Sequence, residues 1–179
     1  TVLYTDGSGG EHSADPRIRR CGWAAVRLHI RNGAVYLVCA VAGSMEGPRQ
    51  CQTVPRTELQ ALLEGAERTR GPLLMITDHE NHAKAFAGPR ADTMHRPHAD
   101  FWQRLWQAVD EHHAGQVSVV WTRAHYQWEA LWMRSITLVT FLGNHLADRF
   151  AAEAAKRAQF LEGRVATLQR READARAIL

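Results

Sequence analysis

Two acidic residues end similar short runs of strand-forming residues. Asp6 follows the run 2–5, which Gly7 stops, and Asp78 follows the run 73–77. A helix predicted between these runs permits them to pair in parallel, and ligands collect beyond the carboxyl ends of neighbouring parallel strands. We therefore expect Asp6 and Asp78 to face one cleft.

Two further carboxylates lie on predicted helices, next to the apolar stripe that each helix would bury. Glu58 is in the first turn of a helix that Pro55 opens, and it lies beside Leu62 on the helix surface. Asp148 borders a stripe of alanines, and Asn144 lies one turn earlier on the same face. Four carboxylates could therefore converge at one edge of the sheet.

Such a cluster has a definite chemistry. Like charges gathered together are unfavourable unless a cation compensates them, and an all-oxygen ligand set selects Mg²⁺ or Mn²⁺ over zinc. Two such ions about 4 Å apart would hold a phosphodiester, activate water and stabilise the leaving oxygen. Hydrolysis of a phosphodiester is the reaction that these residues favour.

The elements that must position the carboxylates follow from hydrophobic periodicity and turn residues. Two apolar runs, 22–30 and 34–41, meet across Asn32-Gly33, a strong hairpin signal. Helical spacing follows Pro55, and the predicted order is β-β-β-α-β-α-α-β and then a helix from Gly143. Trp102 and Trp106 share helical spacing, so we expect them to pack in the core rather than stack on bases.

Composition limits the alternatives. The chain has 179 residues, enough for one α/β domain with an appendage, and its net charge of +3 allows a nucleic-acid partner without establishing one. Three cysteines without a C-x-x-C spacing favour a reducing, intracellular compartment. The longest apolar run, 136–142, is too short to span a membrane. The chain opens in a strand without Met, so we expect it to be a segment of a longer polypeptide.

Six motifs, in order, resemble those of the ribonuclease H family, and the resemblance covers roughly residues 1–156. Three carry carboxylates: Tyr4-Thr5-Asp6-Gly7-Ser8-Gly9, Thr57-Glu58-Leu59 and Ile76-Thr77-Asp78. The other three resemble the helix before the last strand, the strand and loop that deliver a mobile histidine, and the final helix: Asp100-Phe101-Trp102-Gln103-Arg104-Leu105, Val120-Trp121-Thr122-Arg123-Ala124-His125 and Gly143-Asn144-His145-Leu146-Ala147-Asp148.

The resemblance implies a ribonuclease H-like α/β fold, with a five-stranded mixed sheet flanked by helices and here a C-terminal helical extension. It implies an endonuclease that cuts the RNA strand of an RNA/DNA hybrid and leaves a 5′-phosphate and a 3′-hydroxyl. Two Mg²⁺ ions, with Mn²⁺ as a substitute, would be bound by Asp6, Glu58, Asp78 and Asp148. His125 would assist proton transfer or product release. The residues expected at the substrate are Gly7, Ser8, Gly9, Arg56 and Asn144.

Several features depart from the family pattern. Small amide residues commonly precede the glutamate, but this chain has Val54-Pro55-Arg56, so a contact to a 2′-hydroxyl would come from backbone groups, Arg56 or elsewhere. The alternatives to the hybrid endonuclease are a noncatalytic module that binds nucleic acid or a partner protein, and a related nuclease acting on another nucleic acid. The parent would be a reverse transcriptase, a retroelement or a similar multidomain protein.

Two segments lie outside the six motifs that resemble those of ribonuclease H. Residues 126–142 lengthen the connection between His125 and the final helix, and we expect a lid or docking element there, either packed on the domain or contacting a partner. We place the catalytic domain at 1–158 and a helical extension or linker at 159–179.

The pairs His79/His82 and His95/His98 have a spacing that could suggest zinc, but no third ligand accompanies them.

Overall fold

A computed structural model describes residues 1–178 as a mixed sheet flanked by helices. The five strands are β1 (Val2–Ser8), β2 (Gly22–Arg31), β3 (Ala34–Ser44), β4 (Leu73–Thr77) and β5 (Val117–Trp121). Within the described residues there are seven α-helices: α1 (Val54–Arg68), α2 (Glu80–Ala87), α3 (Arg90–Thr93), α4 (Ala99–His113), α5 (Glu129–Trp132), α6 (Leu138–Arg157) and α7 (Glu162–Ile178).

The sheet has the order β3-β2-β1-β4-β5, which confirms the predicted five-stranded mixed sheet. β1 pairs antiparallel with β2, β2 with β3, and the pairs β1/β4 and β4/β5 are parallel. Thr5 and Thr77 are partners in the β1/β4 register, so the residues that follow them lie side by side. The two strand ends therefore meet at one edge of the sheet.

Alternate residues of each strand face opposite sides of the sheet, and each side has its own core. Leu3 and Met75 pack with α1 and α4, where Leu62 and Trp102 are almost fully buried. Tyr4 and its neighbours pack instead with α6. Both Trp102 and Trp106 belong to the first core, as the sequence predicts.

Helix α6 lies very close to the sheet. A Cβ atom added at Gly143 would lie 2.3 Å from the Tyr4 ring, and one at Gly22 would lie 2.3 Å from the backbone nitrogen of Ala155. No larger residue fits at either position without displacing the helix. The two glycines thus allow α6 to carry its polar residues to the same sheet edge as β1 and β4.

The edge strand β3 is mostly exposed and has no charged residue along its length. It joins β2 through Asn32 and Gly33, whose φ values of 51° and 76° fit the predicted hairpin turn. The distal part of this hairpin places large apolar side chains in solvent, among them Ile30, Tyr36 and Leu37.

Two boundaries differ from the sequence prediction, and the first is that β1 continues through Gly7 to Ser8. Helix α6 begins at Leu138 and not at Gly143, because Thr137 caps it by accepting a hydrogen bond from the Thr140 backbone N–H at 3.2 Å. The apolar run 136–142 is therefore largely the first turn of α6, and Leu138 remains 46% exposed. The short helix α3 lies in the segment 87–97, which the sequence predicts to be a loop, and α5 lies where Trp128, Leu131 and Trp132 have helical spacing.

Helix α7 forms the expected C-terminal extension. Val165 is buried, Arg17 in the loop after β1 pairs with Glu172, and the Arg20 guanidinium lies 3.9 Å from the centre of the Phe160 ring. The extension is thus a helix that contacts the domain. Whether residues 1–158 fold without it stays a prediction. Among the described helices, none combines the length and apolar character needed to cross a membrane.

A buried histidine ties three elements together. His113, in the last turn of α4, places Nδ1 2.6 Å from the Gly71 carbonyl oxygen and Nε2 2.9 Å from that of Ala66. It therefore joins α4 to the end of α1 and to the turn that precedes β4.

We predict that His113→Ala lowers the free energy of unfolding by about 2–4 kcal/mol, because it removes a buried side chain and leaves a carbonyl without its donor. Urea denaturation measures this change. His112→Ala is the matched control and should change stability by less than about 0.5 kcal/mol. Similar losses in both variants would contradict the assigned contacts.

Candidate active site

The carboxyl end of β1 touches the first turn of α1 through a glycine. A Cβ atom at Gly7 would lie 2.5 Å from the backbone nitrogen of Glu58 and 2.8 Å from the carbonyl carbon of Thr57. Only glycine permits this approach. It places Glu58 directly beside Asp6, although the two residues are 52 positions apart in the sequence.

Three of the predicted carboxylates form a compact group. One oxygen from each of Asp6, Glu58 and Asp78 lies within 4.8 Å of the other two. Asp6 and Glu58 are almost fully buried, Asp78 is half-buried, and Glu58 Oε2 has no hydrogen-bond partner. This arrangement leaves buried oxygen lone pairs free to bind a cation.

Burial and mutual repulsion make the charged forms of these groups unfavourable. Burial, then the charges of Asp78 and Asp148, raise the pKa of Asp6 to about 8. Burial also raises the pKa of Glu58 well above its usual range, and the charges of Asp6 and Asp78 add to this effect. The pKa of Asp78 is raised by burial, and the nearby charge of His125 partly opposes that rise. A bound cation would reverse this penalty.

Asp148 lies on α6 at the margin of the three-carboxylate group and is not a member of it. Its charge nevertheless raises the pKa of Asp6, Glu58 and Asp78, so it faces the same space. Asn144, one turn earlier, is buried, and its Oδ1 has no hydrogen-bond partner. The structure therefore brings all four predicted acidic residues to one edge of the sheet.

His125 also reaches this edge. It is exposed, has a left-handed backbone with φ of 49°, and lines a small cavity together with Asp148. Non-glycine residues adopt this conformation infrequently, and strained backbone of this kind is concentrated at functional sites. The cavity is completed by Tyr126, Phe141, Asn144 and His145. The sequence assigns no site role to Tyr126, Phe141 or His145: His145 lies inside the 143–148 motif without an expected role, and no motif includes the other two.

The residues expected at the substrate have different surroundings. Gly7 and Gly9 are buried, and Ser8 Oγ accepts a hydrogen bond from the Gly10 backbone N–H at 3.2 Å. Arg56 and Glu58 are about 200° apart around the helix. The Arg56 guanidinium accordingly faces α4.

Arg56 is held there by two contacts. Its Nη1 donates to Asp100 at 3.0 Å, and its guanidinium lies 3.8 Å from the centre of the Phe101 ring. The structure does not bring this side chain into the carboxylate group. Arg56 could bind the substrate only if the substrate also contacted α1 at a second place, away from the carboxylate group.

The histidines of α2 form no metal cluster with other ligands in the part of the chain that the structure describes. His79 and His82 stack with ring centres 3.8 Å apart, and His79 Nδ1 accepts a hydrogen bond from the His82 backbone N–H. Burial, with the charge of His79 adding to it, lowers the pKa of His82 to about 3. These rings pack and cap the helix.

Comparison with solved structures identifies the fold. The prototype foamy virus (PFV) RNase H domain aligns with a TM-score of 0.67 and 17% identity over 87% of this chain and 93% of that domain. LC9-RNase H1, a type 1 RNase H with the type 2 active-site motif, aligns with a TM-score of 0.62 and 19% identity over 87% of this chain and 71% of that one.

A third structure places the fold in a longer protein. The foamy viral protease-reverse transcriptase in complex with RNA/DNA hybrid aligns with a TM-score of 0.62 and 16% identity over 86% of this chain, which spans 20% of that polypeptide. No protein-family model matches the sequence, and no curated protein sequence matches it either. The chain has the fold of ribonuclease H domains, with an acidic group at the carboxyl ends of β1 and β4.

The raised pKa of Asp6 predicts how stability depends on pH without divalent ions. The unfolded chain releases this proton near the ordinary aspartate pKa of 3.8, and the folded chain, whose Asp6 pKa is raised, releases it only at about 8. Between these values the folded state binds more protons than the unfolded state, so stability falls as pH rises.

We expect the Tm of the metal-free protein to decrease between pH 5 and pH 8, and Asp6→Asn to raise the Tm at pH 8 and flatten the profile. Calorimetry in EDTA measures both effects. Asp92→Asn, at an exposed carboxylate, serves as the control and should follow the wild-type curve. A Tm that increases over this range would show that the charge on the acidic group does not destabilise the folded state.

Proposed function

We propose that this chain is a metal-dependent endonuclease that hydrolyses the RNA strand of RNA/DNA hybrids. The observation that carries the proposal is the group formed by Asp6, Glu58 and Asp78, whose oxygens lie within 4.8 Å of one another in a buried setting. Such a group serves no packing purpose and weakens the fold unless a cation is bound. The shared ribonuclease H fold supports the same chemistry.

The donor set fits hard divalent ions. Asp6, Glu58, Asp78 and Asp148 would hold two Mg²⁺ ions, or Mn²⁺ in their place, since carboxylate oxygens suit these ions and no thiolate or imidazole belongs to the described group. When bound, such ions supply activation of water and stabilisation of charge on the phosphate and leaving oxygen. A 5′-phosphate and a 3′-hydroxyl would result.

The chain's own residues would orient the substrate and move protons. Asn144 has a free Oδ1 beside Asp148, and the Gly7, Ser8 and Gly9 backbone borders the site without bulky side chains in the way. His125 is exposed at the rim, where it can accept or give a proton and exchange with solvent. In this proposal the buried carboxylates hold the metal ions, and the exposed His125 imidazole exchanges protons with solvent.

The hybrid is the favoured substrate because two proteins of similar fold, the foamy viral protease-reverse transcriptase and LC11-RNase H1, have structures in complex with RNA/DNA hybrid. The first of them also supports partner domains in a longer polypeptide. All three cysteines lie in the described residues as free thiols, and Cys39 is exposed, which suits a reducing intracellular compartment. A noncatalytic binding module is disfavoured, since it would have no need for the strained acidic group.

We predict that the protein with Mg²⁺ cleaves the RNA of an end-labelled hybrid and leaves duplex DNA and duplex RNA intact. Asp78→Asn should reduce cleavage by at least about 10³-fold, because it deletes a metal-binding charge, and EDTA should abolish cleavage. Circular dichroism should show an unchanged fold, and Asp92→Asn should retain activity. Near wild-type cleavage by Asp78→Asn at saturating Mg²⁺ would refute the assignment, and cleavage of duplex DNA would identify a different nuclease.

For His125→Ala we expect a loss of about tens-fold to a hundredfold, because a proton shuttle or release aid contributes less than the metal scaffold. Single-turnover and multiple-turnover cleavage rates distinguish proton transfer from product release. His29→Ala, at an exposed strand position, is the matched control. A loss as large as that of Asp78→Asn would mean that His125 belongs to the scaffold itself.

A further inference from the structure

The turn between β5 and α6 exposes two large apolar side chains beside the active site. We call residues 128–134 the Trp132 turn. Trp132 is 85% exposed and Met133 is 80% exposed, although full exposure of such side chains is unfavourable in water. Most other large apolar residues are at least half covered, so this turn needs an explanation.

One ring contact and two hydrogen bonds anchor the base of the turn, although the Trp128 side chain is itself 60% exposed. The Trp128 ring packs against Phe141 of α6 with ring centres 4.6 Å apart. The backbone N–H and the hydroxyl of Ser135 both donate to the Ala130 carbonyl, at 3.1 Å and 2.9 Å. The exposure of Trp132 therefore belongs to a built turn and does not arise from a loose segment.

The attachment also joins the turn to the active site. Phe141, which receives Trp128, stacks on His145 with an interplanar angle of 7°. Phe141 and His145 line the same cavity as His125 and Asp148. One aromatic contact thus separates the Trp132 turn from the groups that would handle the substrate.

The charges around the turn match a polyanion. The connection between β5 and α6 carries two exposed arginines, Arg123 and Arg134, against one acidic residue, Glu129. Proteins bind unpaired nucleotides with exposed aromatic rings and basic side chains, since bases stack on the ring and phosphates contact the arginines. Inside a duplex the base faces are covered, so a flat aromatic ring gains little from paired nucleotides.

We propose that the Trp132 turn binds the unpaired nucleotides that continue from an RNA/DNA hybrid beyond the cleavage site, with Trp132 stacked on a base and Arg134 near a phosphate. This inference rests on the proposed function, because it names the class of hybrid that the site prefers: one with a single-stranded extension. Met133 adds apolar contact at the same tip.

The test compares a blunt hybrid with the same hybrid carrying a single-stranded extension of about five nucleotides, a length within one stacking platform's reach. Fluorescence anisotropy in EDTA measures Kd without cleavage. We expect Trp132→Ala to weaken binding of the extended hybrid about 5- to 150-fold and to change the Kd of the blunt hybrid less than about twofold. Trp132→Phe should retain most of the binding.

Two controls isolate the effect. Leu161→Ala removes a side chain that is 83% exposed elsewhere and should leave both Kd values unchanged. The Tm of Trp132→Ala should equal that of the wild type, because the indole is almost fully in solvent. Equal weakening for both hybrids, or none for either, would overturn the proposal. So would dimerisation of the wild type that Trp132→Ala abolishes at unchanged Kd, since the tip would then bind a second copy.

The outcome also separates this inference from the proposed function. If binding depends on the extension and on Trp132 but no cleavage occurs in Mg²⁺, the proposed nuclease function is refuted and the proposed binding surface is supported. If the wild type cleaves the hybrid but Trp132→Ala leaves the Kd unchanged, the nuclease function is supported and the proposed binding surface is refuted. A wild type that neither binds nor cleaves either hybrid would overturn both.

Discussion

Electrostatic repulsion within the acidic group is the constraint on which the rest of this structure depends. The oxygens of Asp6, Glu58 and Asp78 are held closer than they would settle in water, and burial denies them solvent. The fold must supply the free energy that keeps them there. It does so with two separate cores, one on each side of the sheet, that fix β1, β4 and α1 before any ligand binds.

The glycines show how closely the backbone had to be arranged. Gly7 lets β1 touch the first turn of α1, and Gly143 lets α6 rest on Tyr4. Each removes a side chain at the point where an acidic residue must be brought near its neighbours. The positions of Glu58 and Asp148 are therefore set by backbone contact, which deforms less than a contact between flexible side chains.

The sequence predicts the parts of the site that are encoded locally. Asp6 lies near the end of β1 and Asp78 follows β4, two strands that their own residues specify, and the helical position of Glu58 follows from its distance to Leu62. The contact of Arg56 with Asp100 joins residues on two helices and leaves no local pattern, so its direction could not be predicted. The sequence predicts that α6 begins at Gly143, five residues late, because Thr137, which caps the helix, lies inside the apolar run 136–142. The packing of Trp128 on Phe141 likewise depends on tertiary structure.

The free edge of the sheet affects how copies of this protein could associate with one another. β3 offers its main-chain donors and acceptors along a strand without a charge or a proline, the devices that usually discourage strand addition. Pairing at this edge would require no unfolding, so its extent would follow protein concentration and not thermal stability. A sample could be fully native and still associate through backbone hydrogen bonds, with the acidic group at the carboxyl ends of β1 and β4 left open.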